Sequence, residues 1–493
     1  MLIWSAPVRA VMLGLLVLLP IAGEAQRVLT LDSCRAMALR NNKQMGVAKM
    51  KQEVSANLRK SARTKYLPHV SAMGGYMWMN KEVSILSDDQ KKALSNMGTN
   101  TTTSLQNALS PLVSTLPAAT QVKMGNDMAQ FASVLNQTGS GIVDALRTDT
   151  RNMIAGAVVV TQPVYMGGAI VAANKMADIN EKLAANSLEV KRQGTLYNID
   201  QAYWQVVSLR HKQTLAESYV ALVRKLKDDV QKMIDQGVAT KGDGLSVSVR
   251  VNEAEMALTQ VEDGLVLSKM LLCQLCGLPV DENITLADEE SDEVKPDDGN
   301  LAVAEPAFAM QNRPELKVLQ NTVDLSRQTT NVLKAGNLPQ VLLTGGYTIS
   351  NPNTFNGFEK KFSGFWNVGV LVRVPIWNWG DVKYKVRASK VATAMANMEM
   401  DEARELIELQ VNQSNFKMKE ASKKLEMARA NVANADENLR MANIGFKEGI
   451  VSFTTVMEAQ TAWQQAQSQK IDAEIGVKLS RVELQKAMGV LSD

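Results

Sequence analysis

The sequence predicts a mainly helical chain with a small β part, built twice from one plan. Three observations carry this reading: landmarks recur at constant spacing, short stretches beside them alternate apolar and polar residues, and long Pro-free stretches repeat apolar residues at steps of three and four. The first of these organises the other two.

Leu67-Pro68 precedes Gly74-Gly75-Tyr76, and Leu338-Pro339 precedes Gly345-Gly346-Tyr347, each landmark 271 positions further on. Downstream an offset of 212 pairs Pro163 with Pro375, Tyr165 with Trp377, Gly168 with Gly380, Gly237 with Gly449 and Gly277 with Gly489. The offsets differ by 59 residues, which places an insertion in the first copy, within the Ser-, Thr-, Asn- and Met-rich segment 80–151. The expected plan is a first repeat over residues 26–280, a linker over 281–300 and a second repeat over 301–493. Asp and Glu dominate that linker without any hydrophobic period, so it is expected to be solvated.

Ahead of the first repeat, Arg9 precedes an apolar run over 10–22, and Gly23-Glu24-Ala25 follows with small residues where a signal peptidase reads. Residues 1–25 are therefore expected to be a secretory signal peptide, with the mature chain starting at Gln26. The apolar run is short of the roughly 20 residues a membrane-spanning helix needs. Cys34 follows Asp32 and Ser33, which lack the small-residue context of a lipoprotein cleavage site, so no lipid anchor is expected. Further on no apolar stretch reaches spanning length, since 265–278 is interrupted by Ser268, Lys269 and Gln274. Residence in a membrane would have to come from strands.

Four strands are expected, in two hairpins. Val341, Leu343, Tyr347 and Ile349 alternate with Gln340, Thr344 and Thr348, the two-residue period of a strand with one apolar and one polar face. Its repeat partner sets Val70, Ala72, Tyr76 and Trp78 against His69 and Ser71. The later strand carries Trp366, Val368, Val370, Val372 and Val374 opposite Asn367 and Arg373, and its partner over 154–162 carries Val158 and Val160. These lengths match the roughly nine to eleven residues of a tilted outer-membrane strand, and Tyr76, Trp78, Tyr165, Tyr347, Trp366, Trp377 and Trp379 lie near the ends, as in an aromatic girdle. Val70, Val341, Val370 and Val372 are expected to face lipid and Leu371 the other side. A soluble sandwich shares the alternation and is the alternative.

The remaining segments read as very long helices. Leu425, Ala428, Val432, Ala435, Leu439, Ala442 and Phe446 trace a coiled-coil seam, and Val456, Ala459, Trp463, Ala466, Ala473, Val477, Leu484 and Ala487 trace another. Alanine at so many seam positions lets helices approach closely and curve around a hollow assembly. Between 168 and 236 there is no Pro and only Gly194 as a weak point, so the path approaches about 100 Å at 1.5 Å per residue. A helix of that length is expected to pack along other long helices, and an oligomer is their simplest source.

Composition removes several function classes. Lys plus Arg number 54 against 51 Asp plus Glu, a net charge of +3 that gives no footprint for nucleic acid. The 7 Trp, 8 Tyr and 9 Phe are too few for several large globular cores. Only 2 His and 3 Cys are available as soft ligands or as a nucleophile and base. Cys273 and Cys276 have redox-motif spacing but precede the stop Gly277-Leu278-Pro279, whereas reactive pairs lie at helix N-termini, so packing is the better reading. The glycines around Lys241 lack the Gly-Lys-Ser/Thr of a phosphate loop and read as a turn. His69 and His211 read as surface or lumen polar groups. No catalytic constellation, cofactor site or metal site is expected, and the chain is not read as an enzyme.

Two tandem copies of helix, Pro-started strand, hairpin, strand, Pro-Gly corner and long helical hairpin, with the turns Gly237-Val238-Ala239-Thr240 and Gly449-Ile450-Val451-Ser452, resemble a TolC-type outer-membrane efflux protein over roughly residues 28–490. The resemblance implies a homotrimer. Four strands per protomer would complete a twelve-stranded transmembrane β-barrel in the outer membrane, and the long helices a periplasmic α-barrel tunnel, in a Gram-negative type cell. The function implied is a passive exit duct of a tripartite efflux or secretion system. An inner-membrane pump would drive export through a periplasmic adaptor (membrane fusion) protein, and outer-membrane lipid would surround the strands. Within the family the helical turns contact the adaptor, and acidic residues six and nine positions after the turn glycine project into a narrow entrance. Carried onto this sequence, Asp243 and Glu458 match, while Thr455 and Ser246 depart from the acidic pattern. Both carboxylates are equally readable as helix-start residues favoured by the helix dipole.

The 80–151 insertion is larger than the family needs and is expected outside the cell. Drug, metal-ion and protein export are not separable, because the pump selects the substrate. The alternative function is a non-conducting periplasmic coiled-coil scaffold or adaptor, which has no use for Val- and aromatic-rich hairpins.

Overall fold

The computed structural model describes residues 27–81, 84–147, 149–289, 303–353 and 359–492, so the expected signal peptide lies outside the described residues. The first copy runs β1 (Arg27–Leu29), α1 (Leu31–Asn41), α2 (Lys43–Thr64), β2 (His69–Trp78), α3 (Asp88–Ser95), α4 (Met97–Val113), α5 (Ala118–Ala145), β3 (Asn152–Met166), α6 (Ala169–Asp235), α7 (Lys241–Cys276) and β4 (Ile284–Leu286). The second runs α8 (Pro306–Asn312), α9 (Pro314–Lys334), β5 (Gln340–Asn351), β6 (Ser363–Arg373), α10 (Asp381–Lys447) and α11 (Phe453–Met488). Helices α6 and α10 each hold 67 residues, and α7 and α11 each hold 36. The 212 offset therefore holds at both ends of each pair.

The chain divides into two compact units. One, residues 60–174 and 329–387, holds an antiparallel sheet of order β2-β3-β5-β6. Register decides its faces, because directly paired residues of antiparallel strands point the same way. Val70 pairs with Val160, Ala72 with Val158, Val158 with Tyr347, Tyr347 with Trp366, Leu343 with Val370 and Val341 with Val372. One face is thus predominantly apolar across all four strands, as the alternation predicted, with Gln162 beside Leu343 as a polar residue on it, and His69, Ser71, Thr161, Thr344, Asn367 and Arg373 share the other. Trp366 is 76% exposed and Val370 64% exposed, so this apolar face is uncovered in the single chain. Strands β2 and β6 are the edges, each with one unpaired side.

Strand β3 is longer than the alternation indicated, because a register shift between Pro163 and Tyr165 lets it continue past a residue with no N–H to donate. The insertion carries three helices, α3 to α5, which its polar composition did not reveal. Asn136 Oδ1 ties α5 to α4 by accepting from the Gly98 and Thr99 N–H groups at 2.8 and 3.1 Å. At the foot of the insertion, hydrogen bonds from Arg151 and then Lys360 hold the Asp149 carboxyl well below the usual carboxylate range.

The second unit takes residues 27–59, 175–328 and 388–492 of the chain. Its principal core joins Cys34 of α1, Tyr203, Val206 and Val207 of α6, Leu272, Cys273 and Cys276 of α7, and the parallel pair β1 and β4. That pair corrects the reading of 281–300 as solvated: Ile284 and Leu286 are fully buried, two residues being too short a period to detect. Residues 290–300 of that segment lie outside the described residues.

The cysteines pack as expected. Burial pushes the Cys273 thiol up, and contact with the Cys34 thiol followed by burial pushes Cys276 up. His211 departs from its expected surface position: it is half-buried on α6 beside Asp288 and Glu289, and burial lowers its pKa. Both seams are buried, at Leu425, Ala428, Leu439 and Ala442 in α10 and at Val456, Ala459, Ala466, Val477, Leu484 and Ala487 in α11.

The two copies also hold their short helices in matching ways. Asn42, between α1 and α2, donates from Nδ2 to the Leu275 carbonyl at 3.2 Å, in the last turn of α7. Arg313, between α8 and α9, donates from Nη1 to the Ala487 carbonyl at 3.1 Å, in the last turn of α11. Those carbonyls are 212 positions apart, and both lack helical partners at a C-terminus.

Candidate functional site

Each long helix ends on a glycine that its successor helix needs for a reversal. Gly237 has φ +76° and Gly449 φ +73°, the left-handed region open to glycine. Around the first, the Val238 N–H donates to the Met233 carbonyl at 2.8 Å and the Gly237 N–H to that of Ile234 at 2.9 Å. Around the second, the Ile450 N–H donates to Gly445 at 2.7 Å and the Gly449 N–H to Phe446 at 3.1 Å. Both turns are Schellman motifs, which satisfy the last carbonyls and free two residues to project. The projecting residues are apolar: Val238 is 69% exposed and Ile450 78% exposed.

The next helix starts differently in the two copies. Thr240 Oγ1 accepts from the Asp243 N–H at 3.2 Å, and Asp243 Oδ2 accepts from the Thr240 N–H at 2.8 Å, a reciprocal capping box. The Thr240 N–H first, and then the Thr240 hydroxyl, which donates to the same Oδ2 at 2.8 Å, lower the Asp243 pKa. At the equivalent place Ser452 Oγ accepts from the Thr455 N–H at 3.4 Å, and Thr455 has no carboxylate to return the bond. Asp243 thus caps the start of α7. Glu458 lies one turn into α11 and is exposed.

One apolar cluster gathers the helix ends beside both turns. It joins Leu226 and Val230 of α6, Val247 of α7, Leu439 and Ala442 of α10, and Val456 and Ala459 of α11. The turns Gly237-Val238-Ala239-Thr240 and Gly449-Ile450-Val451-Ser452 are thereby carried by one four-helix end. Sequence reasoning missed a polar tie there: the Trp463 Nε1–H donates to Asp436 Oδ1 at 2.6 Å, linking α11 to α10. The only signal was an acid directly after the seam residue Ala435. Among the described residues no group of three or more His, Cys, Asp or Glu is placed to hold a metal ion, and no helix is long and apolar enough to cross a membrane.

With this geometry in place, comparison with known proteins gives consistent matches. The family described as outer membrane efflux protein matches residues 306–490, nearly the whole second repeat. Over 327 residues the chain is 22% identical to outer membrane protein TolC of Vibrio cholerae serotype O1, covering 64% of this chain and 72% of that protein. Over 310 residues it is 23% identical to outer membrane efflux protein BepC of Brucella suis biovar 1, covering 62% of this chain and 65% of that one. Its fold is similar to the CmeC outer membrane channel of Campylobacter jejuni, with a TM-score of 0.73 at 14% identity over 93% of this chain and 85% of that chain.

Proposed function

We propose that this chain, which belongs to the TolC-type outer membrane efflux proteins, is the exit duct of a tripartite efflux or secretion system, a passive channel across periplasm and outer membrane. One observation carries the reading: a four-stranded sheet with one predominantly apolar face that runs across all four strands, with both edges open, in a chain that also holds two helices of 67 residues. Such a face suits lipid, and open edges β2 and β6 invite pairing with further copies. Three copies would supply twelve strands and close the barrel.

The periplasmic adaptor docks at the two turns, with exposed Val238 and Ile450 as the apolar contacts and the bonded backbone behind them as a rigid seat. Glu458 is the stronger candidate for the entrance, because its carboxylate is exposed. Asp243 serves the helix start first, and its second carboxylate oxygen leaves it available to the entrance as well. Catalysis belongs to the pump in this reading, and the duct itself has no enzymatic role. The insertion helices α3 to α5 lie outside the cell, since they leave the sheet at the ends of β2 and β3 remote from the starts of α6 and α10.

The competing scaffold reading predicts a periplasmic protein. Fractionation followed by native mass measurement separates them: the duct is found in outer membranes and extracts as three chains, whereas recovery as a soluble periplasmic species would transfer the protein to the scaffold class. Impermeant labelling of Ser104→Cys in intact cells tests the insertion, and labelling only after permeabilisation would place it in the periplasm.

A further inference from the structure

We propose a soft-cation site on the polar face of the sheet, formed by the thioethers of Met77, Met79 and Met153. Met77 of β2 pairs directly with Met153 of β3. The Met79 N–H donates to the Arg151 carbonyl at 2.8 Å, which continues the same ladder one residue beyond Trp78. Alternation then puts all three methionines on the face of His69 and Ser71, and Trp78 on the face of Val70 and Val160.

Spacing brings the donors within mutual reach. Directly opposed residues hold their Cβ atoms about 4.5–5.5 Å apart, and residues two apart on one strand about 7 Å. Each methionine has three rotatable bonds beyond Cα, enough for three sulfurs to converge on one ion. Gly75 and Ala155, the next positions on that face, are small and leave the approach clear. Arg151 opposes Met79, and its charge is offset by the Asp149 carboxylate at 2.8 Å.

Packing alone does not account for this cluster. Met77 is 60% exposed and Met79 and Met153 are half-buried, their next neighbours on this face are the small Gly75 and Ala155, and Met73, Ala157 and Val159 lie further along the strands. Thioethers are soft, uncharged donors, which select Cu(I) and Ag(I) over Zn(II) and Mg(II). The site rests on strand register and stands whether or not the chain conducts; in a duct it would line the lumen beneath the insertion.

The test uses purified full-length protein in chloride-free buffer, titrated with Ag(I), with retained silver measured after desalting. The variant Met77→Leu/Met79→Leu/Met153→Leu conserves side-chain volume, and its secondary structure and assembly are checked alongside. Cys34, Cys273 and Cys276 are fully buried and supply the same background in every variant. We expect the triple variant to retain about one Ag(I) fewer per chain, Met73→Leu to retain as much as the parent, and excess Zn(II) not to displace silver from the parent. Equal silver retention by the parent and a folded triple variant would overturn the site, as would displacement by Zn(II).

Discussion

From the start of each long helix onward the two repeats share a backbone plan to the residue, and they differ in the side chains that maintain it. At the helical reversals both use glycine with the same positive φ and the same pair of hydrogen bonds. At the corner before each long helix they part: Gly167 has φ +61°, and its equivalent Trp379 adopts φ +54°. A Cβ at Gly167 would lie 2.8 Å from the Ala335 carbonyl oxygen and from Leu338 Cβ, whereas Trp379 is 86% exposed. Where the neighbours close in, the left-handed position requires glycine. Where they do not, it accepts a tryptophan that suits an interfacial girdle. Duplicated geometry thus persists while each copy adapts its chemistry to local surroundings.

Substitutions at equivalent positions of the two repeats show what each copy needs. The largest effect is expected in the sheet. Val158 and Val370 are 212 positions apart on the apolar face, and arginine at either should cost about 2–4 kcal/mol near the bilayer midplane and reduce assembled protein. Leu371→Arg, on the other face, should assemble better; equal loss at Val370 and Leu371 would refute the assignment of faces. Next comes the helix junction. Arg313→Ala removes donors from two carbonyls in the last turn of α11 and should cost about 2–3 kcal/mol, against about 1 kcal/mol for Asn42→Ala, read by thermal unfolding in detergent. Gly167→Ala should then cost about 2 kcal/mol, and Trp379→Ala much less in detergent.

The smallest difference lies at the starts of α7 and α11. Asp243→Ala should speed amide exchange over the first turn of α7, and Thr455→Asp should slow it in α11 by completing the reciprocal cap. Acid should act on one copy only. The Asp243 pKa is lowered in the folded chain, so its contribution is present above the unfolded pKa and is lost as pH falls through the folded one. Exchange at the α7 start should rise in that window while α11 stays level. Parallel behaviour of the two starts would deny the carboxylate its role.

Much of this architecture was legible in the sequence because duplication doubles every signal. Gly237 and Gly449 mark one turn twice, and Val158 and Val370 mark one face twice. Seam residues such as Leu439 and Val456 announced buried helix faces through their period alone. What escaped reading had no partner copy or no period: Ile284 and Leu286 are two residues long, and the insertion helices have a composition of turns. Polar ties also escaped, because Asn42 and Arg313 do equivalent work with unlike side chains. For the candidate site the sequence located both turns, and the reciprocal bonds of Asp243 became visible only with coordinates.

Planar-bilayer recording of the purified full-length protein tests whether the two repeats build a conducting duct. A duct should show stepwise conductance, blocked by divalent or trivalent cations added on the side of the helical turns at fixed ionic strength. Asp243→Ala/Glu458→Ala should conduct with that block lost, because like carboxylates gathered at a narrow entrance attract cations. Assembled, inserted protein that passes no current would rule out a duct.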